Sequence, residues 1–291
     1  MSMYQLENNE LTIKVNSFGA ELSSVISKKN NIEYIWQANP EIWPRHAPHL
    51  FPIVGRLKDS HYNFLNNNYE LPQHGFARDN EFKCIEQDET SLTFELITTD
   101  ETLKQFPFHF SLKIIYTLIE NKLITNYEIF NPDSDQLYFS IGAHPAFNCP
   151  LQQNESFNDY SILFPNKKEL VVNTLNEGLI KNETKTLILN NNKLSVSKSL
   201  FDNDALVCMN SQIEQLSLVS EKTSHGITME CSNWPFFGIW TKKNSEHFIC
   251  LEPWHGIADG ETSDYNFKNK TGIITLAPQQ SFNCSFNMIF Y

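Results

Sequence analysis

Apolar and polar residues alternate along much of this chain, most clearly over residues 108–118. Every second residue of this segment is apolar, and most of those between are polar. Successive side chains of a β-strand point to opposite faces, so this period of two predicts a strand with one buried face. Residues 11–15 and 91–97 alternate in the same way. The longer segment 108–130 is predicted to form a hairpin that turns near Glu120.

Strand-like segments continue to the last residues of the sequence. They predict further strands near residues 20–27, 32–36, 61–71, 137–143, 160–164, 184–196, 214–219, 226–231, 236–241, 247–252, 272–277 and 281–290. Helical patterns are scarce, with one short helix predicted after a cap at Asp100 and another that could begin at Asn39. We therefore predict an all-β fold in one domain, residues 1–291, built as a large antiparallel β-sandwich that protects its strand edges.

Composition narrows the class of protein. Hydrophobic residues make up 41% of the chain, which supplies a sizeable core, and the formal net charge of −12 disfavours nucleic acid as a partner. The first residues lack a basic segment followed by an apolar one, and no apolar run is long enough to span a membrane. The six cysteines are far apart and predict free thiols, so we expect a cytoplasmic protein without membrane contact.

Two apolar strands each lead to a titratable side chain. Residues 137–143 precede His144, and residues 248–251 precede Glu252. A proline follows each of these side chains, and we expect it to end the strand pairing. Partial burial would raise the pKa of the Glu252 carboxyl and make it a better base near neutral pH. Neither residue is decisive by itself. His144 could instead be a hydrogen-bonded core histidine, and Glu252 could be a salt-bridged residue at a strand end.

Two loops rich in glycine and proline carry further candidates. Arg56 lies in the first, at 52–58, and His74 and Arg78 lie in the second, at 72–78. A guanidinium group can hold hydroxyls or an anion through its planar fork. The alternative is a pair of surface loops with solvated arginines.

Together these segments resemble the aldose 1-epimerase, or galactose mutarotase-like, superfamily. The matching motifs follow one another in order along nearly the whole chain and begin at Gly19 (GAEL), Gly55 (GRL), His74 (HGFAR), Gly142 (GAHPAFN), Phe201 (FDNDAL) and Cys250 (CLEPW). The resemblance implies a galactose mutarotase-like supersandwich with an open cleft and no required cofactor. It also implies that the partner is a small-molecule sugar or sugar phosphate.

The resemblance assigns roles to particular residues. His144 matches the family's general acid, which protonates the ring oxygen, and Glu252 matches its general base, which removes the proton of the anomeric hydroxyl. The other residues with an implied or plausible contact to the sugar are Arg56, His74, Asp204, Phe147 and Trp240. Asp204 matches a binding acid, but neighbouring Asp202 leaves the register open by two residues. Phe147 and Trp240 are plausible walls for the apolar face of the sugar, although core packing is the commoner role of such aromatics.

One motif departs from the galactose-type pattern. Members of that type usually carry His-Gly-Gly where this chain has His74-Gly75-Phe76-Ala77-Arg78. The segment is closer to the hexose-6-phosphate epimerase branch and to a bacterial mutarotase-like branch. In the phosphate branch, arginines like Arg56 and Arg78 are expected to help hold the phosphate. The substrate is therefore left open between a free hexose and a hexose 6-phosphate.

The sequence also allows other functions for this protein. A non-catalytic carbohydrate-binding protein on the same fold would bind sugar without accelerating anomer exchange. A glycoside hydrolase would need a second carboxylate beside Glu252, for which Asp204, Asp259 and Glu261 are candidates. The histidines near 46–49 and 247–255 lack metal-ligand spacing, so we expect no metal and no cofactor. We expect a monomer or a homodimer.

Overall fold

Antiparallel strands form most of the regular structure. The computed structural model describes residues 1–210 and 212–291. The first eight strands are β1 (Met3–Glu7), β2 (Leu11–Asn16), β3 (Glu21–Ser27), β4 (His49–Leu50), β5 (His61–Phe64), β6 (Asn67–Glu70), β7 (Lys83–Gln87) and β8 (Ser91–Ile97). The next eight are β9 (Ser111–Ile119), β10 (Lys122–Phe130), β11 (Leu137–Phe139), β12 (Ile141–Ala143), β13 (Ala146–Asn148), β14 (Tyr160–Leu163), β15 (Glu169–Asn176) and β16 (Leu179–Ile188). The last eight are β17 (Lys193–Ser195), β18 (Leu206–Cys208), β19 (Gln215–Ser220), β20 (Gly226–Glu230), β21 (Phe236–Trp240), β22 (Phe248–His255), β23 (Ile274–Leu276) and β24 (Ser281–Phe290).

Two large sheets dominate the arrangement. The first has nine strands in the order β17-β14-β19-β20-β24-β10-β9-β8-β7. The second has eight, in the order β16-β15-β18-β21-β22-β12-β4, with β13 also paired to β22. Smaller sheets are formed by β1-β2-β3, by β5-β6 and by β11-β23. The antiparallel β-sandwich prediction is confirmed, as is the β9–β10 hairpin, in which Leu118 pairs with Leu123.

The main core lies between the two large sheets. It contains Ile114 of β9 and Tyr127 of β10 together with Ile249 and Leu251 of β22, all fully buried. Because side chains alternate along a strand, Cys250, which lies between Ile249 and Leu251, must point to the opposite, outer face of the eight-stranded sheet. That outer face is where the titratable side chain of Glu252 lies.

A buried histidine joins the two sheets by hydrogen bonds. The Nδ1 atom of His49 on β4 lies 2.7 Å from the Tyr127 hydroxyl, and its Nε2 atom lies 2.7 Å from the Tyr116 hydroxyl. The Tyr116 hydroxyl donates to the Ala20 carbonyl at 2.8 Å, so it accepts from Nε2–H, and Nδ1 accepts from Tyr127. Burial lowers the pKa of His49 to about 4, which keeps the ring neutral and both of its nitrogens paired at pH 7.

Helix content is as low as expected, but the details differ from the predictions. The helix α1 (Asp100–Gln105) is capped by Thr99 and not by Asp100. The Thr99 side chain accepts from Thr102 N–H at 3.2 Å, and the Thr102 hydroxyl accepts from Thr99 N–H at 2.9 Å. The segment that begins at Asn39 makes only a turn. In the described ranges, no helix is long and apolar enough to cross a bilayer.

The expectation that proline ends the second of the two apolar strands is wrong. Strand β22 continues through Pro253 to His255, and Pro253 pairs with Phe237 of β21. On the other side of β22, the neighbouring chain leaves the ladder between β12 and β13, around His144. A residue without an N–H is compatible with a position opposite such a break. Glu252 therefore lies inside a strand, paired with Gly238 of β21 on one side and opposite the break in the ladder on the other.

We predict that Tyr127→Phe lowers the free energy of unfolding by about 1–3 kcal/mol, because it leaves the buried Nδ1 atom of His49 without a donor. Urea unfolding followed by fluorescence measures the change. Tyr4→Phe is the control, since the Tyr4 ring packs against Phe94 and its hydroxyl makes no hydrogen bond to a described residue. Equal effects of the two substitutions would contradict the role of the His49 network.

Candidate active site

A cavity of about 480 Å³ opens on the outer face of the eight-stranded sheet. Six of the eight predicted site residues line it: His74, Arg78, His144, Asp204, Trp240 and Glu252. Residues that the sequence did not single out also line it, among them Trp43, Gln73, Lys242 and Trp254. The topology thus gathers side chains as far apart as those of Trp43 and Trp254, which are separated by 211 residues, at one place.

His144 and Glu252 are in direct contact at this cavity. The His144 Nε2 atom lies 3.1 Å from the Glu252 Oε2 atom, and only 9% and 1% of the two side chains are exposed. Glu252 projects from β22 opposite Gly238 of β21. His144 follows the last residue of β12, where its backbone N–H donates to the Pro48 carbonyl at 3.1 Å. Two different strands therefore hold the two side chains against each other.

Burial sets the protonation of this pair. It lowers the pKa of His144 to about 3, with a smaller contribution from the positive charge of Arg78. It raises the pKa of Glu252 well above its ordinary value, and the negative charge of Asp204 adds to this shift. Both shifts favour the uncharged forms, which are a protonated carboxyl beside a neutral imidazole, so the favoured state of the pair holds one proton. Groups this close titrate as a pair.

Gly238 makes room beside Glu252. A Cβ atom at this position would lie 2.3 Å from a ring carbon of Trp254, well inside any possible contact distance. Only glycine therefore allows the Trp254 indole to lie across β21 next to the carboxyl group. The indole excludes water from one side of Glu252 and contributes to its burial.

Two tryptophans form an aromatic wall around His144. The Trp43 ring stacks on the imidazole with centroids 5.1 Å apart, and Trp240 meets it edge-on at 5.6 Å. Two hydrogen bonds hold the Trp43 loop in place. The Trp36 indole donates to the Trp43 carbonyl at 2.9 Å, and the Lys242 ammonium donates to the Ile42 carbonyl.

His74 presents a defined hydrogen-bond donor. Its Nδ1 atom accepts from the Gly55 N–H at 3.1 Å, so the hydrogen of the neutral ring is on Nε2. Burial, together with the positive charge on His144 when that ring is protonated and with the charge of Arg78, holds the pKa of His74 well below its ordinary value. The residue has φ of +69°, which is uncommon outside glycine, and its N–H donates to the Gly55 carbonyl at 2.8 Å. This loop conformation directs the ring into the cavity.

The structure separates the paired alternatives among the charged candidates. Asp204 lines the cavity and Asp202 does not. Arg78 lines the cavity, and burial lowers the pKa of its guanidinium to about 10, which leaves it charged at neutral pH. Arg56 does not line the cavity. Its guanidinium is exposed and donates to the Glu177 carbonyl at 2.9 Å, in the turn between β15 and β16.

The proposed wall residue Phe147 lies elsewhere. It is fully buried in the main core and pairs with Ile249, whose side chain points toward the nine-stranded sheet. Alternation along β13 places its neighbour Ala146 on the outer face instead. Trp43 lines the cavity in place of Phe147. The sequence pattern did not reveal this, because Trp43 lies in a segment without periodicity.

One group of potential metal ligands lies at this place among the described residues. The ligand-type atoms of His144, Cys250 and Glu252 are all within 4.8 Å of one another. Cys250 is two residues before Glu252 on β22 and therefore shares its face. The histidines near 46–49 and 247–255 do not enter this group.

Comparison with known proteins agrees with the fold. The family model for aldose 1-epimerase matches residues 2–288. The chain is 31% identical to the chromosomal protein LacX of Lactococcus lactis subsp. lactis over 293 aligned positions, which cover 98% of each chain. The structure of a galactose mutarotase related enzyme from Lactobacillus acidophilus superposes with a TM-score of 0.95 at 34% identity, over 100% of this chain and 97% of the other. A galactose mutarotase-like protein from Lactobacillus casei gives 0.90 at 30% identity, over 100% of both chains.

The antiparallel sandwich and the matching family model indicate a class of carbohydrate-converting proteins. This chain belongs to the aldose 1-epimerase family. Its function is accordingly of the carbohydrate epimerase or mutarotase kind.

We predict that Arg78→Met raises the pKa of His144, because the substitution removes a positive charge that disfavours imidazolium. A pH series of long-range ¹H–¹⁵N correlation spectra measures the imidazole titration. Arg56→Met is the matched control and leaves the titration unchanged, since that guanidinium lies outside the cavity. An unchanged or lower pKa in Arg78→Met would contradict the described electrostatics.

Proposed function

We propose that this protein is an aldose 1-epimerase that interconverts the α and β anomers of a hexose or a hexose 6-phosphate. His144 is its general acid and Glu252 its general base. The observation that supports the proposal most strongly is the 3.1 Å contact between these two side chains at the cavity of a family member. The six cysteines are free, which favours action in the reducing cytoplasm.

A pair that holds one proton matches the chemistry. In the form with imidazolium and carboxylate, Glu252 removes the proton of the anomeric hydroxyl, the bond between C1 and the ring oxygen breaks, and His144 protonates that oxygen. The open-chain aldehyde rotates about its C1–C2 bond. On closure, Glu252 returns a proton to the carbonyl oxygen while His144 takes one from the attacking hydroxyl. The pair carries one proton before and after each step, so its net charge does not change within a buried site.

The remaining cavity residues suit sugar binding. The aromatic wall of Trp43 and Trp240 offers surfaces for the C–H face of a pyranose. His74 presents its Nε2–H to a ring or hydroxyl oxygen, and Asp204 can accept from hydroxyl groups. A volume of about 480 Å³ is in the ordinary range for small-molecule sites and accommodates a hexose.

Two cations favour a phosphorylated substrate. Arg78 and Lys242 both line the cavity. A guanidinium and an ammonium group are the side chains that proteins use to hold phosphate. The arrangement differs from the one predicted from sequence, since Lys242 takes the place assigned to Arg56. The free hexose stays open as the alternative substrate.

A direct assay decides between catalysis and binding alone. Polarimetry follows freshly dissolved α-glucose and α-galactose, and exchange NMR follows glucose 6-phosphate, each with and without the protein. Acceleration of one sugar identifies the substrate class. Binding without acceleration of any of them would make the protein a non-catalytic carbohydrate binder.

We predict that Glu252→Gln lowers turnover by about 10²–10⁴-fold while the fold is retained, because the amide cannot take up the anomeric proton. Turnover comes from the assay above and folding from circular dichroism. Asp202→Asn is the control, as it removes a nearby carboxylate that does not line the cavity. Near-normal activity of Glu252→Gln would assign the base to another residue.

We predict that Arg78→Ala raises KM for a hexose 6-phosphate more than for the free hexose, because the guanidinium is proposed to contact the phosphate. Steady-state kinetics on both substrates measure the ratio. Arg56→Ala should change neither value, since its side chain is bonded to the Glu177 carbonyl. An equal effect of Arg78→Ala on both substrates would rule out the phosphate contact.

A further inference from the structure

The acid–base pair has a thiol beside it that the proposed reaction does not use. Cys250 is fully buried and faces the same side of the sheet as Glu252. Its partner on the neighbouring strand is Ala146, which follows the interruption in strand pairing at which His144 lies. An imidazole, a thiol and a carboxyl group are therefore brought together by three short segments that are rigidly paired.

We propose that His144, Cys250 and Glu252 form an inhibitory binding site for Zn²⁺ and similar borderline-soft divalent cations. The inhibition, though not the binding itself, rests on the proposed function of His144 and Glu252. The site is distinct from a catalytic metal centre, since its cation occupies the atoms that the reaction needs.

The geometry fits a tetrahedral cation. Zinc bonds to nitrogen, oxygen and sulfur measure about 2.0–2.3 Å, so neighbouring ligand atoms lie about 3.3–3.7 Å apart. The His144 Nε2 and Glu252 Oε2 atoms are already 3.1 Å apart, and the three ligand atoms lie within 4.8 Å of one another. Small side-chain rotations would bring the three ligand atoms to the separations of a zinc site. The fourth position faces the cavity, where water or a sugar hydroxyl can bind.

Charge and hydrogen bonding favour the same ligand. A divalent cation with one carboxylate, one thiolate and one neutral imidazole has no net charge, which lowers the cost of burying it. The Glu252 Oε2 atom is buried and makes no hydrogen bond to any described residue, so its lone pairs are free for a cation. The thiol selects against Mg²⁺ and Ca²⁺, which prefer oxygen ligands.

The consequence for activity follows from the shared atoms. A cation bound through Nε2 of His144 and the carboxylate of Glu252 takes the lone pairs that accept protons during ring opening and closure. The bound protein therefore cannot act as acid or base. Sugar and cation compete, because both use the region between these side chains.

The experiment adds Co²⁺ and Zn²⁺ to the purified protein and to two cysteine variants. Cys250→Ala removes the proposed ligand. Cys208→Ala is the matched control, since Cys208 is a buried thiol of the same sheet that points into the main core. Co²⁺ absorption reports a sulfur bond through its charge-transfer band, calorimetry gives the Zn²⁺ affinity, and anomer exchange is measured with and without Zn²⁺.

The parent protein and Cys208→Ala are expected to show the charge-transfer band. Cys250→Ala is expected to lack this band. It is also expected to bind Zn²⁺ more than about tenfold more weakly, because the loss of even a residue that only orients a metal ligand typically costs at least that much affinity. Zn²⁺ inhibits the first two proteins at concentrations that spare Cys250→Ala, and Mg²⁺ inhibits none. If Cys250→Ala does not fold, Cys250→Ser takes its place, because an alcohol gives no sulfur band.

Absence of the band in the parent protein, or equal Zn²⁺ affinity in all three proteins, would overturn the proposal. The result is separate from the test of the proposed function. A protein that shows the band but never accelerates anomer exchange retains the metal site and loses the epimerase. A protein that accelerates exchange but gives no band retains the epimerase and loses the metal site.

Discussion

The ladder around β22 is the constraint on which the rest of the structure depends. Its strict alternation sends Ile249 and Leu251 into the core between the sheets and sends Cys250 and Glu252 to the opposite face. A shift of the register by one residue would place the carboxyl group in the apolar core and a leucine in the cavity. Pairing with β21 and β13 on the two sides of β22 prevents that shift. The position of the Glu252 carboxyl group is thus decided by the same hydrogen bonds that build the sandwich.

The buried polar groups of the protein divide into two kinds. In the core, both ring nitrogens of His49 are hydrogen-bonded to tyrosine hydroxyls, and the group serves stability. At the cavity, the Nδ1 atom of His144 and the Nε1 atom of Trp254 are buried without a partner among the described residues. Unpaired buried polar atoms cost free energy, so their concentration at one place indicates a site prepared for a ligand.

The low-polarity surroundings of His144 and Glu252 have a chemical consequence beyond their pKa values. In water an imidazolium and a carboxylate would be solvated separately, whereas here burial favours the uncharged form of each group. A sugar that supplies one donor and one acceptor between them can exchange its protons without net charge transfer into the site. The same burial explains why a neutral metal complex with the Cys250 thiolate would compete with the sugar.

The local pattern of the sequence predicted the fold class and most strands, because the alternation of apolar and polar residues in a strand can be recognised from neighbouring residues alone. It also located His144 and Glu252, since apolar runs lead directly to both, and the family resemblance extended this to His74, Arg78, Asp204 and Trp240. It failed where the outcome depends on partners distant in sequence. Pro253 remains within a strand because the chain opposite leaves the ladder. Phe147 lies in the core because of its register with Ile249.

The tertiary structure alone decided the composition of the cavity. Trp43 and Lys242 lie in segments without periodicity, and only the folded chain brings them together through the hydrogen bond from Lys242 to the Ile42 carbonyl. Arg56 is turned away by its bond to the Glu177 carbonyl, 121 residues later. The contact of His144 with Glu252 likewise joins strands that no local rule pairs. The sequence by itself determined the strands and the chemical groups. The pairing of distant strands and loops at the outer face of the eight-stranded sheet determined which of those groups meet, because contact between distant segments is set by the whole fold.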